Sequence, residues 1–337
     1  NITDTASASV ISLPRSSVDD WETTEGMAIE FSQTLFVSGN FTQARYGELD
    51  LAVDGPLDNP TNVVEPGTAA NDLQALNDVS RIQLDDGSTV QNPLPLPPYL
   101  GADNTRRVGD SISNLAGVLG YSFGVYEVHP TAEVNFVGGN ERPFGPPDVG
   151  GSLVTVAGFN VLNYFTTLDG SGSICGPNGD QGCRGADSAE EFERQKAKLV
   201  AAITTLDADI VGLIELENAA DNTPIADLVD GLNGAAGAGM YDYIATDAIG
   251  LDAIRQGIIY KPSAVAPVGD FEILDNTVDP DFNDDLNRPV LAQTFQEITS
   301  GERITVAVNH LKSKGSPCDA AGDPDTGDGQ GNCNLTR

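Results

Sequence analysis

An all-β domain followed by an α/β (α+β) domain is the architecture this sequence predicts, on three observations. Residues 1–148 carry short apolar runs separated by turn-rich stretches, and no helix-period segment stands out among them. Residues 149–337 alternate strand, helix and strand, then continue mostly in strands. Between the two, residues 137–151 read VGGNERPFGPPDVGG, a Pro/Gly density that marks a linker. The 337 residues suffice for two domains of ordinary size. Their 39% hydrophobic content, with 37 Gly and 20 Pro, fits loop-rich, strand-rich cores better than a helical bundle.

In the first domain, strands are expected over 27–37, 48–53, 81–84 and 123–129, with turns such as Asp85-Asp86-Gly87 between them. Their spacing fits a small barrel or a sandwich and does not choose between them. In the second domain, residues 153–159 read as a strand. Residues 187–206 read as a helix, because Ser188 and Glu191 stand in capping-box spacing. Phe192, Leu199, Val200, Ile203 and Leu206 then share one face of it. Residues 209–214 form a compact apolar strand and 225–232 a short helix; further strands are expected at 257–260, 290–295 and 304–309. The most biased segment is the acidic loop over 319–332.

The formal charge is −33, from 50 Asp+Glu against 17 Lys+Arg. Such a balance chiefly means a solvated acidic surface, suited to salt that screens self-repulsion; its other use is cation binding at a few clustered carboxylates. It is not the balance of a nucleic-acid binder, which here would need divalent cations, local basic residues or salt to approach a phosphate backbone. The pair Arg106-Arg107 is the one local basic feature of the first domain. Four cysteines, at 175, 183, 318 and 333, fall as two close pairs. Four allow three pairings; short loop closure favours Cys175–Cys183 and Cys318–Cys333. Free thiols or a zinc site are the alternatives, and no CxxC or nearby His supports zinc. Disulfides would place the chain in an oxidising compartment. No apolar run reaches the length of a membrane span, and no signal peptide opens the sequence, so an internal or processed piece of a secreted protein is expected, acting as a monomer.

Three polar residues sit where strands end. Asn160, in FNVLNY, closes the first strand of the second domain, although an Asn there ordinarily serves a turn. Glu215 follows the apolar strand DIVGLI, at a sheet rim where a hard-oxygen ligand suits Mg²⁺; a strand-ending surface Glu is the plainer reading. Glu217 is its rival, two residues along on the same strand face. Alternation puts Ile304, Val306 and Val308 on one face, leaving His310 just past the strand end, followed by Lys312 and Lys314. Histidine trades a proton near neutral pH or donates to a phosphate oxygen.

Taken in order, FNVLNY, DIVGLIELEN, RQGIIYKP, NRPV and VNHLKSKG resemble the endonuclease/exonuclease/phosphatase (DNase I-like) superfamily. Together with EGMAIEF, RYGELDLAVDG, PTNVVEPG and IQLDDG they look like the large extracellular nucleases of marine and aquatic bacteria. The resemblance implies a barrel of oligonucleotide/oligosaccharide-binding (OB) type first and a DNase I-like β-sandwich flanked by helices second. It makes Glu215 the ligand of a Mg²⁺ or Mn²⁺, with Asn160 near metal and scissile phosphate. It makes His310 the first catalytic His, which polarises phosphate or protonates the leaving oxygen. It assigns Arg288 to phosphate, with Lys312 beside it, and gives Asp252 a part in arranging the site. Arg255 would reach the DNA backbone or be a solvated surface Arg. The implied substrate is extracellular DNA, or RNA.

The family pattern continues with a Gly-Asp-Phe-Asn-like stretch and a final Asp-His pair, which carries the general base. Neither occurs here, and His129 belongs to the first domain, so the sequence reads as C-terminally truncated and is expected to be nearly inactive alone. The loop around Asp323, Asp325 and Asp328 has a spacing near that of a calcium loop, with one residue inserted and no closing Glu, so a structural Ca²⁺ is a further expectation. Two other functions fit the same residues: a secreted phosphatase or phospholipase of that superfamily, or a non-catalytic module binding polysaccharide or nucleic acid.

Overall fold

A computed structural model describes residues 7–101, 105–170 and 172–337. It divides into two compact units, Asn1–Pro143 with Asp325–Gly331, and Phe144–Pro324 with Asn332–Arg337.

The first unit contains β1 (Ser9–Ile11), β2 (Ala28–Phe31), β3 (Leu35–Gly39), the single turn α1 (Gln43–Tyr46), β4 (Leu49–Val53), α2 (Thr68–Val79), β5 (Arg81–Leu84), β6 (Ser111–Ile112), β7 (Ala116–Ser122) and β8 (Val125–Pro130). The strands form one eight-stranded sheet in the order β1-β2-β7-β8-β5-β4-β3-β6. Pairs β1/β2 and β5/β8 are parallel and the rest antiparallel. Among the described residues no pairing of β1 with β6 closes the sheet. Alternation sends Ile29, Phe31, Leu35, Val37, Leu49, Leu51, Leu84 and Val128 into a single core, where Trp21 packs on Phe31. The helix α2 corrects the expectation of strands alone. Its sequence TAANDLQALNDV buries only Ala70 and Asn77, so it carries no apolar stripe for a periodicity argument to find.

The second unit contains β9 (Val156–Tyr164), the hairpin β10 (Ile174–Cys175) and β11 (Gln181–Gly182), α3 (Ala189–Leu206), β12 (Ile210–Glu217), α4 (Thr223–Ala236), β13 (Asp242–Tyr243), β14 (Ile254–Tyr260), β15 (Val265–Pro267), β16 (Glu272–Leu274), β17 (Arg288–Glu297) and β18 (Arg303–His310). One sheet runs β13-β14-β12-β9; the other is built around β17, with β15, β16 and β18 as its partners. Helix α3 starts where the capping box predicts: Ser188 Oγ accepts from Glu191 N at 3.2 Å. Leu199 and Ile203 of α3 and Ile225 and Leu228 of α4 bury against Val211 and Leu213 of β12. On the other face Ile210 and Ile258 meet Leu291, Phe295 and Val308 of the second sheet. The result is helices, sheet, sheet, compatible with a DNase I-like sandwich. Both disulfides are the local ones, Cys175–Cys183 and Cys318–Cys333. No helix among the described residues is long and apolar enough to cross a membrane.

The two sheets approach closely at Gly212, where an added Cβ would lie 2.8 Å from Val308 Cγ2. Val308 is β-branched and buried, so it has little freedom to move aside. We expect Gly212→Ala to cost about 1–3 kcal/mol, read as a lower urea midpoint at unchanged slope. Adding Val308→Ala should cost less than the sum of the two single changes.

Candidate active site

The regular pleat of β9 and β12 breaks at one level. The strands run parallel and in register from Val156↔Ile210 to Asn160↔Ile214, but the next pair is Tyr164↔Leu216. Three residues of β9 therefore face one of β12. Across the other edge of β12, Leu213↔Gly257 is followed by Leu216↔Arg255, so β12 itself carries one extra residue. Leu162, Asn163 and Glu215 sit at φ of 54°, 51° and 67°. Positive φ costs a residue other than glycine about 1–3 kcal/mol and persists only where the surroundings enforce it. Here they do. Asn160 Oδ1 accepts from Leu162 N at 2.7 Å, a side chain closing its own turn. Its Nδ2 donates to Glu215 Oε1 at 2.8 Å, and Asn163 N donates to Glu215 Oε2 at 3.2 Å. From α3, Gln195 Nε2 donates to the carbonyls of Val161 and Leu162. Paired bulges re-aim side chains out of the pleat, and these bring Asn160 and Glu215 together.

The second sheet brings His310, the last residue of β18, to the same place. Its Nε2 lies 3.9 Å from Glu215 Oε1, and its Nδ1 is buried without a hydrogen-bond partner. Burial and the Arg288 guanidinium hold the imidazole below its ordinary pKa, against the pull of Glu215 and Asp252. Both effects favour the neutral imidazole at neutral pH. Arg288, opposite His310 in the β17/β18 register, bonds Asp252 Oδ2 at 2.7 Å. The other oxygen of Asp252 takes Arg184 Nη2 at 3.1 Å.

Arg184 is a residue the sequence reading missed. It follows Cys183, and the disulfide hairpin holds it in place: Cys175 and Cys183 pack on Ala253 and Ile254. Gln181 accepts from Ala253 N and donates to Leu251 O. The segment so clamped carries Asp252. Beside the cluster lies a cavity of about 460 Å³ whose rim includes Leu162, Asn163, Arg184, Arg194, Gln195 and Lys198. Arg184, Arg194, Lys198 and Glu191 share this opening, where Arg184 pairs with Asp252 and Arg194 with Glu190.

The remaining sequence candidates fall elsewhere. Glu217 is 3% exposed and accepts from Thr166 N, Thr166 Oγ1 and Thr167 N. It anchors that loop and is separated from the cluster by the bulge. Lys312 turns its ammonium onto Ser313 O and Ser316 Oγ, although its N–H binds Asn287 Oδ1 next to Arg288. Arg255 is neither solvated nor at the site. It is fully buried, donates to Thr246 Oγ1 and Gln256 O, and burial lowers it to about 10. Arg106 Nε and Arg107 Nε are tied to the carbonyls of Tyr99 and Asn140. Of the carboxylates proposed for Ca²⁺, Asp323 accepts from Thr336 N, Asp325 from Gly327 N and Asp328 from Gln330 N. Asp325 and Asp328 each close a turn of their own, whereas Asp323 takes an N–H thirteen residues along the chain.

Residues 3–140 match a family described as a domain of unknown function, DUF8508. No curated protein matches the chain. Among solved structures, an endonuclease/exonuclease/phosphatase family protein from Bacteroides thetaiotaomicron is 18% identical. It covers 47% of this chain and 50% of its own, at a TM-score of 0.32. ANGEL2, a 2′,3′-cyclic phosphatase solved with adenosine-2′,3′-vanadate, is 20% identical over 34% of this chain and 31% of its own, at 0.25. The human Nocturnin catalytic domain, solved with sulfate, is 16% identical over 37% and 44%, at 0.25. The chain thus spans half or less of each of these.

The chain has two histidines, so ring-proton NMR resolves His310 directly. We expect it to titrate below 6.5, and Arg288→Gln to raise its pKa, since removing a neighbouring cation favours the imidazolium. An unchanged or lower pKa in the variant would show that Arg288 does not act on it.

Proposed function

We propose that the protein is a secreted, metal-assisted phosphodiester hydrolase acting on extracellular DNA. The observation that carries this reading is the meeting of Glu215, Asn160 and a neutral, half-buried His310 with an Arg288–Asp252–Arg184 triad, beside a basic opening. The two disulfides support an extracellular setting, and the sequence resemblance supports an OB-type role for the first unit.

The donor set fits Mg²⁺ or Mn²⁺. Glu215 accepts two hydrogen bonds, and a carboxylate has about four lone-pair sites, so coordinating capacity remains. One or two carboxylates suffice for such an ion when phosphate oxygens and waters complete the shell. Held by Glu215 with Asn160 beside it, the ion would supply Lewis-acid stabilisation of charge on a phosphate oxygen. Asn160 keeps the Glu215 carboxylate oriented. His310, neutral and able to present an N–H, donates to a phosphate or leaving oxygen. Arg288 and Arg184 offset phosphate charge, and Asp252 holds both guanidinium groups in place. Arg194 and Lys198 extend the positive surface along a polyanion.

The test is conversion of supercoiled plasmid to nicked circles by the full encoded protein in Mg²⁺ or Mn²⁺. We expect EDTA to abolish it, and Glu215→Gln or His310→Ala to slow it about 100-fold or more. Release of phosphate from phosphomonoesters without nicking would move the substrate to small phosphates. A folded protein that hydrolyses neither would overturn the reading and leave a binding module.

A further inference from the structure

The first unit holds a second polar cluster that the proposed hydrolysis does not use. Glu127 and His129 are two residues apart on β8 and so share a face, the one opposite Val128 and the core. Asp85 extends β5 by one residue, its N–H bonded to Val128 O. On an outer sheet face these groups would ordinarily be solvated. Instead Asp85 is 4% exposed and Glu127 6%. They form the floor of a cavity of about 700 Å³ walled by Tyr46, Thr89, Gln91, Tyr121 and Phe123. Gly120 makes room for the imidazole: an added Cβ there would lie 3.0 Å from His129 Cε1.

The cluster is not satisfied by its own members. His129 Nε2 lies 2.9 Å from Glu127 Oε1 and 3.7 Å from Asp85 Oδ2. One N–H serves one carboxylate well, and here it serves Glu127. Asp85 Oδ2 accepts from Gly87 N, but Asp85 Oδ1 is buried with no partner. A buried acceptor left bare is costly, and a second buried carboxylate beside it adds repulsion.

We propose that Asp85, Glu127 and His129 form a binding site for a divalent transition-metal ion of the Zn²⁺ class, separate from Glu215. One oxygen of each carboxylate and one imidazole nitrogen lie within 4.8 Å of one another. Ligand atoms about 2.1 Å from a tetrahedral Zn²⁺ stand about 3.4 Å apart, so the longest separation has to shorten by about 1.4 Å at most, shared between two side chains. The nitrogen ligand favours Zn²⁺ or Co²⁺ over Ca²⁺, which takes six to eight oxygens. Three protein ligands leave a coordination position open towards the cavity, as in zinc sites that bind water or an exogenous ligand.

Co²⁺ reports on such a site through its visible d–d bands. We expect the full chain to bind one Co²⁺ giving these bands and Zn²⁺ to displace it. Asp85→Asn and Glu127→Gln should each weaken binding at least about tenfold, while Glu215→Gln leaves the bands in place. In the unaltered chain, Co²⁺ should perturb the ring protons of His129 first, assigned as the histidine signal that survives in His310→Ala. This measurement decides the matter even if the Asp85 and Glu127 variants fail to fold. No uptake of Co²⁺ or Zn²⁺, uptake that survives both substitutions, or perturbation of His310 alone would overturn the proposal.

Discussion

The hydrogen bond from Asn160 Nδ2 to Glu215 Oε1 is the constraint on which the candidate site rests. Two neighbouring strands that kept a strict two-residue period would send these side chains wherever parity dictated. Instead β9 and β12 both accommodate extra residues at the same level, with three residues in the left-handed region. Neither bulge is a local preference of its sequence, since Leu and Glu disfavour positive φ. The conformation is held from outside, by Asn160 bonding its own turn and by Gln195 reaching from α3 to two freed carbonyls. The helix packing that buries Leu199 and Ile203 thus also positions Gln195. Core burial, bulge geometry and the orientation of one carboxylate are a single chain of cause.

Electrostatics sets the second constraint. A chain of charge −33 repels polyanions at long range, and screening by salt leaves short-range contacts to do the recognising. The positive groups of the second unit are accordingly local and braced. Arg288 and Arg184 sit on opposite oxygens of Asp252, so neither loses much side-chain freedom when an anion arrives. Carboxylate and guanidinium charges nearly cancel within the cluster, and the imidazole stays neutral because burial and Arg288 outweigh Glu215 and Asp252. The proposed phosphate with its divalent cation would enter such a site without leaving a large uncompensated charge.

Much of this was legible in the sequence where the cause is local. The capping spacing of Ser188 and Glu191 places the start of α3, and the apolar runs around Val211, Leu291 and Val306 place strands. The cysteine spacing selects the observed pairing. Reading for strand ends singles out Asn160, Glu215 and His310, which the fold brings together, although only His310 ends its strand; Asn160 and Glu215 lie at the bulges inside β9 and β12. What stayed hidden depends on contacts distant in sequence. Helix α2 has no apolar stripe, because it covers the unit through little more than Ala70. Arg255 looks like any charged residue until the strand around it proves buried on both faces. Arg184 acquires meaning only through the disulfide hairpin clamped at Ala253, although its place beside Cys183 was a clue. Glu215 and Glu217 are equivalent by parity and are separated by a bulge that no propensity foretells.

The two carboxylate sites differ in what they ask of a cation. At Glu215 one carboxylate offers a few oxygens, so the ion proposed there would need water and phosphate to complete its shell and would be held well only with substrate. At Asp85 and Glu127 two buried carboxylates and an imidazole stand ready with a bare oxygen among them, so the protein alone provides most of a shell. Weak, substrate-completed binding suits a hard ion exchanging during turnover. Prepaid binding by a nitrogen and two oxygens suits a borderline ion that stays, since removing it restores the repulsion between buried carboxylates. The same acidic composition thereby serves opposite ends: in one unit it leaves a cation to be shared with a ligand, and in the other it makes the absence of a cation unfavourable.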